Sequence, residues 1–139
     1  MAATSSSELV LQLAQVHTKF QKQLSGPFSQ HGISFTEYLV LRELANAANN
    51  RMRRIDLAQA VGLSASGVTR LLNPMEKIGL ITKEEAPRDA RVSLVALTSA
   101  GESVFQDASV TFGQTVEWLL EPIAAKERAV LSKLFSILL

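Results

Sequence analysis

The stretch Asp56-Leu-Ala-Gln-Ala-Val-Gly62-Leu-Ser64-Ala-Ser-Gly-Val-Thr-Arg70-Leu-Leu-Asn-Pro74-Met-Glu-Lys-Ile-Gly-Leu80 decides the fold. Its apolar residues Leu57, Val61, Leu63, Val68, Leu71 and Leu72 recur at helical spacing around a single break. Gly62 stands at the break, where a helix that ends in a left-handed residue wants glycine. Ser64 follows as a natural N-cap. Ala58 is small enough for two helices to cross closely. The spacing predicts a first helix over Met52–Val61 and a second over Ala65–Ile78, with Pro74 bending the second. Two helices crossed at such a turn make a helix-turn-helix unit, whose second helix fits a DNA major groove. An ordinary helical hairpin inside a core carries the same short pattern, so the rest of the chain has to decide.

The chain has 139 residues, 47% apolar and 19% charged, which is one globular domain with room for a core. Net charge is only +1, but it is unevenly spread. Residues 51–91 hold eight basic residues (Arg51, Arg53, Arg54, Arg70, Lys77, Lys83, Arg88, Arg91) against five acidic ones, while the remainder carries −2. A basic footprint over the hairpin suits nucleic acid, and an excess this small also suits a plain solvated face. Cysteine is absent, which excludes disulfides, thiolate metal sites and thiol redox switching. Met1–Glu8 lacks the features of a secretory signal and no apolar run is long enough to span a membrane, so a cytoplasmic location is expected.

Upstream, residues 1–7 read as frayed, and Leu9, Val10, Leu13, Val16, Phe20 and Leu24 mark an amphipathic helix over about 7–24, broken or loosened at Ser25-Gly-Pro27. Ser34-Phe-Thr-Glu37 is a capping box opening a buried central helix that runs to about Ala47. Asn46–Asn50 reads as a polar loop, and Arg53 is a poor cap for the next helix. Downstream, Leu80–Glu84 and Arg91–Leu97 read as two strands of a hairpin turning at Pro87 and Asp89. Thr98 or Ser99 caps the following helix, with Ser99 and Glu102 in box spacing. After Pro122, placed in a first turn, Val130, Leu131, Leu134, Phe135, Leu138 and Leu139 line a last helix. So apolar a face needs a cover, and the N-terminal helix of the same or a second chain is the obvious one.

This order of elements, with these residues, resembles the MarR family of winged helix-turn-helix transcription regulators. Asp89-Ala-Arg91 followed by Leu97-Thr98-Ser-Ala-Gly101 is similar to that family's wing signature of Asp-x-Arg, a strand, then Leu-Thr-x-x-Gly. Leu57-Ala58 through Gly62-Leu63-Ser64 to Val68-Thr69-Arg70-Leu71, ending in Glu76-Lys-Ile-Gly-Leu80, is similar to its recognition-helix pattern. The resemblance implies a mainly α fold with a small two-stranded β wing. It also implies a single domain over 1–139, with dimerisation helices at about 7–31 and 102–139 and a winged lobe at about 33–101. It implies a homodimer on a pseudo-palindromic operator, with helix 65–78 in the major groove and wing 82–92 in the minor groove. Such a regulator would be a repressor relieved by a small aromatic or anionic ligand. The chain departs from many relatives at Ala90, where they carry a second basic wing residue, and at Arg53, where they carry Ser or Thr.

Ser64, Ser66, Gly67, Thr69, Arg70 and Asn73 are the residues expected to face DNA, joined by Arg53, Arg88 and Arg91. Hydroxyls and free amides at a helix start hold phosphate. Arg70 suits bidentate guanine readout or a surface ion pair. Gly67 permits close backbone approach. Arg91 suits the minor groove, and Asp89 supports it by pairing at the wing tip. His17, Phe20, Tyr38 and Trp118 are candidates for a ligand pocket and read equally well as core. The two histidines are too few for a metal site, and the chain offers neither a nucleophile–base pair nor a glycine-rich phosphate loop. No metal, cofactor or catalytic residue is therefore expected. The competing reading is a winged-helix protein-interaction module that does not bind DNA.

Overall fold

The structure is a computed structural model that describes residues 3–139; Met1 and Ala2 lie outside the described residues. The helices are α1 (Ser6–Ser29), α2 (Phe35–Asn46), α3 (Arg54–Ala60), α4 (Ala65–Lys77), α5 (Ser99–Leu119) and α6 (Ala125–Leu138). The strands are β1 (Arg51–Arg53), β2 (Ile81–Ala86) and β3 (Asp89–Leu97), which pair antiparallel in the order β1-β3-β2.

Local capping explains several helix starts. Ser34 Oγ accepts from Glu37 N at 3.1 Å and Ser34 N donates to Glu37 Oε1 at 2.8 Å, the reciprocal box expected at the start of α2. Ser64 Oγ accepts from Gly67 N at 3.0 Å at the start of α4. Between α3 and α4, Gly62 takes φ 72°, and Leu63 N donates back to Ala58 O at 2.9 Å. α2 sits at the centre: Tyr38, Val40, Leu41 and Leu44 are all buried. It shares one continuous core with Leu57, Val68, Leu72, Ile81 and Val95 of the winged lobe. It also joins an aromatic cluster in which Phe28 and Tyr38 lie 4.9 Å apart and Tyr38 and Phe112 lie 5.1 Å apart.

Five expectations need correction, and the choice left open between Thr98 and Ser99 is decided. Residues 6 and 7 are helical rather than frayed, because Ser5 caps α1 by accepting from Glu8 N at 3.1 Å. α1 also runs through Gly26 and Pro27 to Ser29, so the break expected after Leu24 does not occur; Leu24 and Phe28 stay on its one buried face. The wing is two-stranded as read, but a third strand joins it. Arg51–Arg53 pairs with Leu94–Ala96 of β3, which delays the first helix of the hairpin to Arg54. Asn49 and Asn50 supply the turn into that strand at φ 57° and 55°, a region asparagine tolerates. The wing strands reach further towards the tip than expected, with β2 extending to Ala86 and β3 beginning at Asp89. Thr98, not Ser99, caps α5: its Oγ1 accepts from Gly101 N at 3.0 Å and donates to Gly79 O at 2.6 Å. Finally, α6 begins after Pro122, at Ala125, where Glu127 Oε1 accepts from Ala124 N at 3.2 Å.

The Thr98 contacts give the Leu-Thr-x-x-Gly motif its physical meaning. One side chain ties the end of α4 to the start of α5, and Thr98 N adds a bond to Leu80 O at 3.1 Å. A Cβ on Gly101 would stand 2.1 Å from Leu80 O and 2.8 Å from Leu97 Cδ1, so the helix starts against that carbonyl only because the residue has no side chain.

Candidate nucleic-acid interface

α4 buries Val68, Leu72 and Met75 and turns Ser66, Arg70, Asn73 and Lys77 to solvent. Those four are spaced by three or four residues and so form one exposed polar stripe. It begins at the capped N-terminus, where unpartnered backbone amides point outward and the helix dipole favours negative charge. Ser64 Oγ and Ser66 Oγ lie 3.3 Å apart at that end. Gly67 sits there half-buried, its amide committed to the Ser64 cap. Among the described residues Arg70 makes no hydrogen bond or ion pair, so its planar fork of donors is free in the middle of the stripe.

The other expected contacts are not free in the same way. Thr69 is half-buried; its Oγ1 accepts from Arg54 Nη1 at 2.5 Å and donates to Ala65 O at 3.0 Å, so its hydroxyl is used within the lobe. Asn73 Oδ1 accepts from Lys83 Nζ of β2. Arg53 stands in the cap position of α3 without capping it, and forms a fork with Asp56 at 3.0 and 3.3 Å. Both of its partners are exposed, which makes this a weak pair that a phosphate can compete for.

At the wing tip Arg88 is exposed and unpaired among the described residues, while Arg91 is paired with Asp89. Asp89 Oδ1 accepts from Arg91 N at 3.0 Å and from Arg91 Nε at 3.1 Å. The Arg91 side chain, then its backbone amide, hold the Asp89 carboxyl below the usual aspartate range. Arg91 is nevertheless 90% exposed, so the pair orients the guanidinium without hiding it. At the base of the wing Arg51 forms a two-pronged bond to Glu84 at 2.8 and 3.2 Å, across β3. That hydrogen bond raises the Arg51 pKa and lowers that of Glu84.

Sequence reasoning passed over Arg54 and Lys83 as site residues. Lys83 had a signal: it lies two residues from Ile81 and so on the face of β2 that Ile81 buries against the lobe. The four pocket candidates do not converge. Tyr38 belongs to the core, with its hydroxyl 2.9 Å from Ser109 Oγ, and His17 is exposed on α1. Phe20 and Trp118 do come together, lining a cavity of about 240 Å³ with Lys19, Gln23, Leu119, Glu121 and Pro122.

Residues 31–92 match the sequence model of the MarR family. The chain is 29% identical over 94 residues to the HTH-type transcriptional regulator PapX of Escherichia coli, covering 67% of this chain and 57% of PapX. It is 28% identical over 100 residues to the HTH-type transcriptional regulator YdgJ of Bacillus subtilis, covering 72% of this chain and 60% of YdgJ. The chain thus matches less than two thirds of the length of either relative. A MarR mutant from Escherichia coli, solved in complex with operator DNA, superposes with a TM-score of 0.86 at 24% identity, over 94% of this chain and 93% of that one. A MarR family regulator from Streptomyces coelicolor, also solved with DNA, superposes with a TM-score of 0.86 at 19% identity, over 99% of this chain and 89% of that one. These likenesses establish the fold. With the family match over residues 31–92, the wing signature and the capped second helix in agreement, the winged lobe of this chain is similar to that of the MarR family of winged helix-turn-helix proteins.

Proposed function

We propose that the chain is a sequence-specific, double-stranded DNA-binding transcription regulator that works as a homodimer, with α4 in the major groove and the wing tip in the adjacent minor groove. One observation carries this reading: the unpaired Arg70 stands in an exposed polar stripe that starts at a capped helix N-terminus, on the lobe that also presents Arg88 and Arg91. Phosphates meet the helix start and the wing arginines, while Arg70 reaches base edges. The role is one of binding rather than catalysis. The dimer would use the helices at about 7–31 and 102–139, whose apolar faces lie in solvent in the single chain. Two lobes would then meet half-sites about 34–36 Å apart.

Selection of bound sequences from random duplex DNA tests this directly. A palindromic or near-palindromic motif is expected, with affinity falling steeply as salt rises. Arg70→Ala should weaken the selected site by about 1–3 kcal/mol. No enrichment from a folded dimer would leave the protein-interaction module as the better reading.

Repression relieved by a ligand is the finer part of the proposal. Phe20 and Trp118, beside Lys19, suit a small aromatic or anionic compound. Such a ligand must bind one lobe spacing better than another, or it shifts nothing. Titrating Trp118 fluorescence with small aromatic acids should give a saturable change; a flat response removes this part of the proposal.

A further inference from the structure

The strip between α4 and the wing contains a polar contact that the interface described above does not explain. On β2, Ile81 is buried beneath the lobe and Lys83 follows two residues later on the same face, opposite the buried Val95 of β3. That register lays the Lys83 side chain over the second half of α4. Its Nζ donates to Asn73 Oδ1 and lies 3.9 Å from Glu76 Oε1. Asn73 itself is on the exposed stripe, three residues beyond Arg70.

An ammonium group has donors and no acceptor, so Lys83 must meet the oxygen of the Asn73 amide and never its nitrogen. The side-chain orientation is thereby fixed. Asn73 Oδ1 faces the wing, and the two N–H donors of Nδ2 are what remains for a ligand. A free asparagine reads adenine with both ends of its amide, donating to N7 and accepting from N6. An asparagine whose oxygen is turned away towards the wing presents only its donors to the groove. It fits a base that shows a keto oxygen in the major groove, guanine through O6 or thymine through O4, and it repels the amino groups of adenine and cytosine.

Resting on the DNA-binding reading, we propose that Lys83 is a specificity-determining residue: its bond to Asn73 makes that side chain a reader of keto bases instead of adenine. Lys83 touches no base in this arrangement. It acts through the helix, from the root of the wing.

The test compares sequences selected from random duplex DNA by the wild-type chain and by the variants Lys83→Met, Lys83→Arg and Asn73→Ala. The position that Asn73 reads is the one whose preference disappears in Asn73→Ala. There the wild type should favour guanine or thymine over adenine by roughly three- to tenfold, the worth of one hydrogen bond. Lys83→Met keeps the length of the stem and removes the donor, so adenine should become the preferred base. Lys83→Arg keeps a donor and should retain the wild-type preference. Loss of a cation weakens binding to all sequences alike, so the relative base preference reads the orientation effect alone. Adenine preferred by the wild type, or one preference shared by the wild type and Lys83→Met, overturns the inference while leaving DNA binding intact. No enriched sequence from any of the four proteins overturns the DNA-binding reading and this inference with it.

Discussion

The winged lobe and the terminal helices make opposite use of the same apolar residue types. In the lobe Leu57, Val68, Leu72, Met75 and Val95 have no exposed surface, and Ile81 only 1%. Polar side chains then cross-link its surface: Arg51 to Glu84, Arg54 to Thr69, Lys83 to Asn73. In the terminal helices Leu9, Val10, Leu13, Leu134 and Leu138 lie in solvent, and α6 buries no residue at all. A lobe of this kind is closed on itself. A pair of helices with leucines in water is half of something, since exposed apolar patches of such extent mark interaction sites. On the function proposed, the contrast separates a closed reading head from the helices that would set where two heads stand.

The strongest way to break that contrast is to attack the closure of the lobe. Gly101→Ala drives a methyl group to 2.1 Å from Leu80 O, a carbonyl already fixed by its bond from Thr98 N. The end of α4 or the start of α5 must move, at a cost of about 3 kcal/mol or more. Urea unfolding measures it. A loss under about 1 kcal/mol would mean that the junction yields and that the lobe is not closed in the sense argued.

The next effect tests the other half. Leu138 is 77% exposed in the single chain. If water is its true environment, Leu138→Glu changes stability by less than about 0.5 kcal/mol. If a second copy covers it, the cost is about 2 kcal/mol and the dimer weakens. The second outcome is expected. It would be seen as a lower mass in sedimentation and as a melting temperature that depends on protein concentration.

A smaller effect lies at the joint between α5 and α6. Arg128 donates to Leu120 O at 2.7 Å and Ile123 O at 2.8 Å, capping the end of α5, and to Glu117 Oε2 at 2.9 Å. Arg128→Ala leaves those carbonyls to water and should cost about 1.5 kcal/mol in thermal unfolding. The lobe should keep its hydrogen-exchange protection while that of α6 falls. Equal loss in both regions would show that they are less separable than their surfaces suggest.

What the sequence revealed follows from how local each interaction is. Ser34 and Ser64 were legible because a cap involves a side chain and an amide three residues away, and Gly62 because a left-handed helix end favours glycine. Arg70 was legible because the helical period alone assigns it to the face opposite Leu72 and Val68. β1 was not: Arg51-Met-Arg53 has no strand pattern of its own and is extended because β3 lies beside it. Thr98 and Ser99 looked equivalent as caps, and the choice falls to Thr98 through its second bond to Gly79, nineteen residues back. The Lys83–Asn73 contact was hidden for the same reason, since it joins a helix to a wing across a turn. Of the two readings left open for Tyr38, core or pocket, the packing in the single chain places it in the aromatic cluster.

The smallest effect belongs to the most exposed pair of the lobe. Arg91 holds the Asp89 carboxyl below its ordinary value, through its side chain first and its backbone amide second. A depressed acid stabilises the folded wing tip at every pH above its ordinary value near 4, and the contribution disappears as pH falls through the lower, folded value. Nothing should therefore change between pH 5 and 8 as far as this pair is concerned. In acid the tip should release Arg91 while the lobe core, which contains no buried charged residue, stays intact. Following the Arg91 amide by NMR resolves this. Its titration should be centred below that of an aspartate in an unstructured peptide, and 1 M salt should move it back by screening so exposed a pair. A titration at the ordinary value would show that Asp89 and Arg91 are neighbours without being partners. The wing tip would then meet DNA with two free arginines, Arg88 and Arg91, in place of one free and one held in position.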